Sequence, residues 1–156
     1  MSIDSTRITL SCIKHSVAMS RETFCFSAKV SIDGVPVGIV ENSGRGESTR
    51  FYLFAAGAAF NRGNAKLAEC GIQRGDDKFI DAIDGVFSAI VTAKEIASAQ
   101  KYVLNRARRA GSNYAMVFMV GNDVSARHWR FNGTLEALKE RLVANGLDIS
   151  GTFHTL

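Results

Sequence analysis

Residues 24–40 read FCFSAKVSIDGVPVGIV. Phe24, Phe26, Ala28, Val30 and Ile32 alternate with Cys25, Ser27, Lys29 and Ser31, the period-two pattern of a strand that buries one face. Asp33-Gly34 follows at once, the dipeptide favoured where both central residues of a two-residue turn need positive φ. Val35, Val37 and Ile39 then resume the alternation, which predicts a 24–32/35–40 hairpin. In an unbroken register Val30 faces Val37 and Ala28 faces Ile39, so both strands present their apolar sides to one buried face. Pro36 then falls opposite Ser31 with its missing N–H turned away from the hairpin partner, which places that end of the second strand at a sheet edge.

Outward from the hairpin, the stretch ENSGRGESTR at 41–50 has no apolar residue and reads as a flexible polar loop leading into a short buried strand at 51–54. A strand at about Arg7–Ile13 completes the sheet upstream. The segment 55–73 carries Gly57, Gly63 and Gly71 and reads as broken helix or irregular connection. A helix is predicted from about 77: Asp76-Asp77 offers the N-cap, and Phe79, Ile83, Val86, Phe87 and Ile90 recur on one face, against which the sheet packs. The pattern continues through Lys94, Ala97, Tyr102 and Leu104 to Arg106, Arg108 and Arg109, with Gly111 as the stop; one helix, or two broken near Gly85 or Ser98, fit equally.

A C-terminal β-β-α-(β) segment follows. YAMVFMV at 114–120 is apolar on both faces and reads as a central, doubly covered strand. Residues 127–131 alternate as its partner across a loop at 121–125. Thr134 caps a helix with Leu135, Leu138 and Leu142 inward, Asn145-Gly146 ends it, and 147–149 offers a last short strand. The expected fold is therefore α+β, and with no repeat, low-complexity tract or linker in sight, residues 1–156 are expected to form a single domain.

The 156 residues are 46% hydrophobic and 22% charged with one proline, a composition that fills a core and excludes a disordered chain. Three widely spaced cysteines, Cys12, Cys25 and Cys70, without a C-x-x-C pair, suggest neither a disulfide framework nor a cysteine zinc site and fit a reducing compartment. No run approaches the roughly 20 apolar residues of a spanning helix, and the opening MSIDSTRITLSC lacks a basic region followed by an apolar one. A cytoplasmic protein with no membrane association is expected. The net charge of +4 favours acidic partners without demanding them.

Three sets of residues carry possible chemistry. The loop containing Asn42, Ser43, Arg45 and Arg50 pairs glycines, which let a backbone approach an anion, with arginines; it lacks the G-x-x-x-x-G-K-[ST] order, and a plain connecting loop fits it as well. Arg106, Arg108, Arg109, Arg127 and Arg130, interleaved with Trp129, offer the mix of cations and stacking faces that single-stranded nucleic acids favour, although a basic helix end follows from the dipole alone. Asp76, Asp77, Asp81 and Asp84 cluster on a helix start and read as a solvated, stabilising face. His15, His128 and His154 lie far apart with no ligand spacing, so no metal, no cofactor and no catalytic residue is expected.

The run FCFSAKVSIDGVPVGIVENSGRGESTRFY, with its alternating strand, Asp-Gly hairpin, G-R-G loop and aromatic pair, resembles small accessory proteins of uncharacterised role encoded by phages and bacteria. Beyond Tyr52 the resemblance is one of element order, and Glu47 and Ser48 depart from the glycine and small residue that the pattern implies. It implies a small intracellular protein of a mobile element that docks onto host machinery, including defence complexes, and it brings no catalytic residues. The leading expectation is a non-enzymatic binding or inhibitory protein whose partner is a protein or ribonucleoprotein, with Asn42, Ser43, Arg45 and Arg50 as contacts. The alternatives are a nucleic-acid-binding module using the arginine and Trp129 set, and, third, a phosphate-handling enzyme using the Gly44–Gly46 loop.

Overall fold

The computed structural model describes residues 3–156. Four strands, β1 (Ile8–His15), β2 (Cys25–Ile32), β3 (Val35–Ser43) and β4 (Arg50–Leu53), pair antiparallel in chain order, and α1 (Gly57–Glu69) and α2 (Asp77–Arg109) follow. The remaining elements are β5 (Tyr114–Val120), β6 (Asp123–Trp129), α3 (Leu135–Ala144) and β7 (Thr152–Thr155), with the strands in the order β6-β5-β7. The chain is thus α+β, with the hairpin, the helix from Asp77 and the C-terminal β-β-α-β order expected from the sequence. It divides into two compact units, one ending at Ile90 and one covering Val91–Leu156. The division falls inside α2, where helical sequence continues without a break, and so no linker marks it.

In the first unit the turn forms as predicted, with φ of +49° at Asp33 and +78° at Gly34. The register beyond it departs from expectation. Ser31 does face Pro36, but Val30 pairs with Gly38, Lys29 with Ile39 and Ala28 with Val40, because Val37 is an extra residue that bulges out of the ladder. The bulge buries Val37, Gly38 and Val40 and turns Ile39, 36% exposed, to the outer face. It also makes room at Gly38 for β4, since the Phe51 ring and the Tyr52 carbonyl occupy the space a side chain there would need. Only Gly38–Glu41 pair with β4, so Val35-Pro36-Val37 has no strand on the side away from β2, in keeping with an edge at Pro36.

Helix α1 covers that edge. It is a regular helix of 13 residues where a broken one was expected, and the reason is Gly63. A Cβ at this position would lie 3.1 Å from Val37 Cα and 3.3 Å from the Pro36 carbonyl oxygen, so the glycine is a point of close approach to β3 rather than a break. Gly57 opens the helix and Gly71 lies beyond its end, so neither interrupts it. The turn is also held by charge. Arg7 Nε donates to Asp33 Oδ1 at 3.1 Å, and Lys66 Nζ on α1 lies 3.0 Å from the same carboxylate. The Arg7 hydrogen bonds, and then those of Lys66, hold the Asp33 carboxyl well below the usual range. A depressed carboxyl stabilises the fold at any pH above the ordinary aspartate range and loses that contribution only as the pH falls through its own lowered value.

Helix α2 is one continuous element of 33 residues, unbroken at Gly85 and Ser98. The Asp76 carboxylate caps it, accepting from Lys78 N at 3.0 Å. Phe79, Ile83 and Phe87 are fully or nearly fully buried, and Ile90 is half-buried. Phe87 stacks on Phe26 with centroids 3.8 Å apart and meets the edges of His15 and Phe24 at 5.3 and 5.5 Å. Phe24 itself lies just outside β2 and is partly exposed, not part of the strand's buried row.

In the second unit β5 is central, but Ala115, Met116 and Val117 are buried whereas Met119 and Val120 are exposed, so the expected double cover holds only along its first half. A two-residue turn at Gly121-Asn122, not a loop over 121–125, leads into β6. Thr134 Oγ1 caps α3 by accepting from Ala137 N at 3.3 Å, and Leu138 and Leu142 are buried. The last strand forms at Thr152–Thr155 rather than at 147–149. There Asp148 accepts from Ser150 N at 2.9 Å, a local turn that competes with extended structure.

Two predictions follow from this packing. Phe87→Ala lowers stability by about 3–5 kcal/mol, and an unchanged midpoint in urea would remove Phe87 from the core. The bulged register predicts that Val40→Ala costs about 1.5–3 kcal/mol while Ile39→Ala costs clearly less; the unbroken register predicts the reverse order in the same titration.

Candidate functional site

The loop joining β3 to β4 is organised by one side chain. Asn42 Oδ1 accepts from Thr23 Oγ1 at 2.9 Å and from Gly44 N at 2.8 Å, while Asn42 Nδ2 donates to Thr49 Oγ1 at 2.9 Å and to the Glu47 carbonyl at 3.3 Å. Both acceptor sites and both donors of the amide are thereby used. Thr49, 5% exposed, passes the chain on by donating to Asp84 Oδ1 on α2 at 2.7 Å. Gly44 is buried at φ +77°, with the Met19 carbonyl lying where a side chain would project. Its own carbonyl accepts from Arg21 N at 3.0 Å and Glu22 N at 3.2 Å. The loop's backbone is therefore fixed from inside, although its sequence reads as flexible.

Asp84 is the part of this network that titrates unusually. Burial pushes its carboxyl up from the ordinary aspartate value, the neighbouring Asp81 adds to that, and the Thr49 hydroxyl works in the opposite direction. The expectation of a fully solvated acidic face on this helix thus fails at Asp84, whose side chain is turned into the loop.

Beside the loop lies a groove of about 390 Å³ on the β1–β4 sheet. Lys14, Ser27, Glu41 and Arg50 occupy one register row across all four strands and line it, together with Ser43 and Tyr52. Arg50 pairs with Glu47 at 3.2 Å, a solvent-exposed bridge that contributes little and exchanges readily. At the inner end sits His15, whose Nε2 is the one buried side-chain nitrogen or oxygen without a hydrogen-bond partner among the described residues. Of the four predicted contact residues, Ser43 and Arg50 border the groove, Asn42 forms part of its wall with its amide fully engaged internally, and Arg45 is exposed on the loop away from the groove lining.

The second basic set lies in the Val91–Leu156 unit. Arg106, Arg108 and Arg109 are exposed at the end of α2, and Arg108 Nη1 donates to Asn105 Oδ1 at 3.0 Å. Arg130 Nε donates to the Gly111 carbonyl at 2.9 Å, and the Arg127 guanidinium lies 5.6 Å above the Phe118 ring. Trp129 is half-buried and stacks on Phe153, centroids 6.2 Å apart, which occupies one face of the ring a base would need. Tyr102, placed by spacing on the apolar stripe of α2, is instead 67% exposed and borders a groove of about 490 Å³ with Arg106 and His128. No group of three or more His, Cys, Asp or Glu side chains suited to a metal ion occurs among the described residues.

The sequence singles out Asn42 and offers Asp84 only as part of a solvated face, while Thr23 and Thr49 carry no mark at all. One local signal was available: an Asn two residues before a Gly is the pattern of an Asx turn, in which the side chain accepts from the backbone N–H two positions on. Thr49→Val leaves Asp84 and Asn42 each short of a partner and lowers stability by about 1–3 kcal/mol, measured by thermal or denaturant unfolding. Asp84→Asn keeps an acceptor for Thr49 and removes a half-buried charge. Because the folded carboxyl is raised, its charge opposes folding once the pH exceeds the ordinary aspartate value, and both states are neutral below it. Asp84→Asn therefore melts higher than the parent at neutral pH, and the gap closes as the pH falls through the carboxylate range; a gap that widens on acidification excludes this origin. Comparison with protein-family models, with curated proteins and with solved structures finds no match for this chain.

Proposed function

We propose that the protein is a non-enzymatic binding protein that docks onto a partner through the β3–β4 loop and the groove beside it. The observation that carries this reading is the inward anchoring of the loop by Asn42 and Thr49, which leaves Ser43, Arg45 and Arg50 displayed outward on a backbone that has little freedom to lose. A pre-organised surface binds with less ordering entropy than a flexible one. Arginines displayed in this way suit carboxylates or phosphates on the partner, since a guanidinium gives two parallel donors.

The resemblance to phage and bacterial accessory proteins supports a setting in which the partner is a host protein or ribonucleoprotein complex and docking inhibits it. Three free cysteines fit a cytoplasmic location. No helix among the described residues is long and apolar enough to cross a membrane. The nucleic-acid reading through Arg106, Arg108, Arg109, Arg127 and Arg130 is weaker, because Trp129 already has a stacking partner in Phe153.

The double variant Arg45→Ala with Arg50→Ala keeps the parent's melting temperature and loses partner capture from host lysate. Capture at full strength moves the docking surface elsewhere, with the strand around Arg127–Arg130 next to be tested. Binding that falls steeply with salt and survives in the double variant identifies the nucleic-acid reading instead.

A further inference from the structure

Strand β6 is an outer strand of its sheet, paired on one side with β5 alone. The two-residue turn makes Val120–Asp123 a hydrogen-bonded pair, and alternation then directs the backbone groups of Asp123, Ser125, Arg127 and Trp129 toward β5. Those of Val124, Ala126 and His128 point to the open side, and none of them takes a backbone partner there among the described residues. Several of the usual protections of a free edge are missing. The strand contains no proline and no lysine, its pairing with β5 shows no register shift, and Val124-Ser125-Ala126 at its middle are small. By contrast β1, an outer strand of the other sheet, is broken by a bulge between Ser11 and Lys14, and β4 is only 4 residues long.

Laid antiparallel against a second copy of itself about Ser125, β6 is complementary in two successive pairs on either side of the axis. Val124 meets Ala126 of the other copy as a hydrogen-bonded pair, using the free backbone groups of both. Asp123 meets Arg127 in the adjoining non-hydrogen-bonded pair, where side chains approach most closely, and the two-fold axis repeats the contact. Asp123 and Arg127 are both exposed, and neither forms an ion pair within the chain among the described residues. Flanking this edge on the α2 side, the exposed Tyr102 and Met119 border two grooves of about 490 and 540 Å³ that share Ala99 and Val124. These supply apolar surface for the second copy to cover.

We propose that two copies of the chain associate through β6, continuing the three-stranded sheet across a two-fold axis at Ser125 with reciprocal Asp123–Arg127 pairs. Sedimentation equilibrium of the full chain at micromolar concentration gives twice the chain mass. Asp123→Arg and Arg127→Asp each set like charges opposite one another and weaken association by about tenfold, given the modest strength of cross-strand charge pairs; the double reversal restores it. Ala126→Pro removes an N–H that points to the open edge and so yields a folded monomer. Should that variant unfold, Ser125→Cys is the second measure: non-hydrogen-bonded pairs have Cα atoms about 4.5 Å apart, within disulfide reach, so mild oxidation cross-links residue 125 to residue 125 of the other copy. A parent that is monomeric throughout, single reversals that leave the dissociation constant unchanged, a double reversal that fails to recover, or a cross-link confined to the native cysteines each overturns the proposal.

Discussion

The extra residue at Val37 governs the first unit. A two-residue turn leaves a hairpin no freedom of parity: once Asp33 and Gly34 are spent on the turn, each side chain of β3 is assigned to one face by counting from Ser31 and Pro36. The bulge resets that count. Beyond it Val40 points to the helix side where Ile39 would have been, and Asn42 points inward where Glu41 and Ser43 would have been. The covering of Gly38 by Phe51 and the capture of Asn42 by Thr49 both depend on this one irregularity.

The same irregularity explains which parts of the molecule were legible in the sequence. Alternation in β2, the Asp-Gly turn and the helical spacing of Phe79, Ile83 and Phe87 are local patterns, and each formed where local chemistry placed it. The register of β3 did not, because Val35, Val37 and Ile39 look like regular alternation and nothing in a one-dimensional pattern reports a residue that drops out of the ladder. Gly63 misled in a related way: a glycine in a helix weakens it by propensity, yet here the absent side chain is what lets α1 lie against Val37.

At the candidate site the gap between pattern and structure has a different origin. A run such as ENSGRGESTR looks mobile because polar and glycine residues dominate it, but order in such a segment comes from hydrogen bonds with remote partners. Thr23 and Asp84 are far from Asn42 in sequence, and no periodicity announces them. The arginines were legible as exposed cations, whereas the framework that holds their backbone still was not. In the second unit, likewise, Trp129 reads as an available ring until Phe153, from the far end of the chain, takes one of its faces.

The strand order carries a consequence for how the chain acquires its shape during synthesis. In the first sheet every strand pairs with the one made just before it, so each pairing closes only a short stretch of newly emerged chain, and contacts of low sequence separation form fast. Everything this sheet needs, including Phe87, precedes Val91, and it can be complete while the ribosome is still adding the rest. The second sheet runs on a different clock. Its centre, β5, has one neighbour in β6 directly, but its other neighbour is β7, which emerges only after α3. Until β7 arrives, β5 carries an open edge, and the second unit is at its most adhesive in the interval between the emergence of β6 and that of β7.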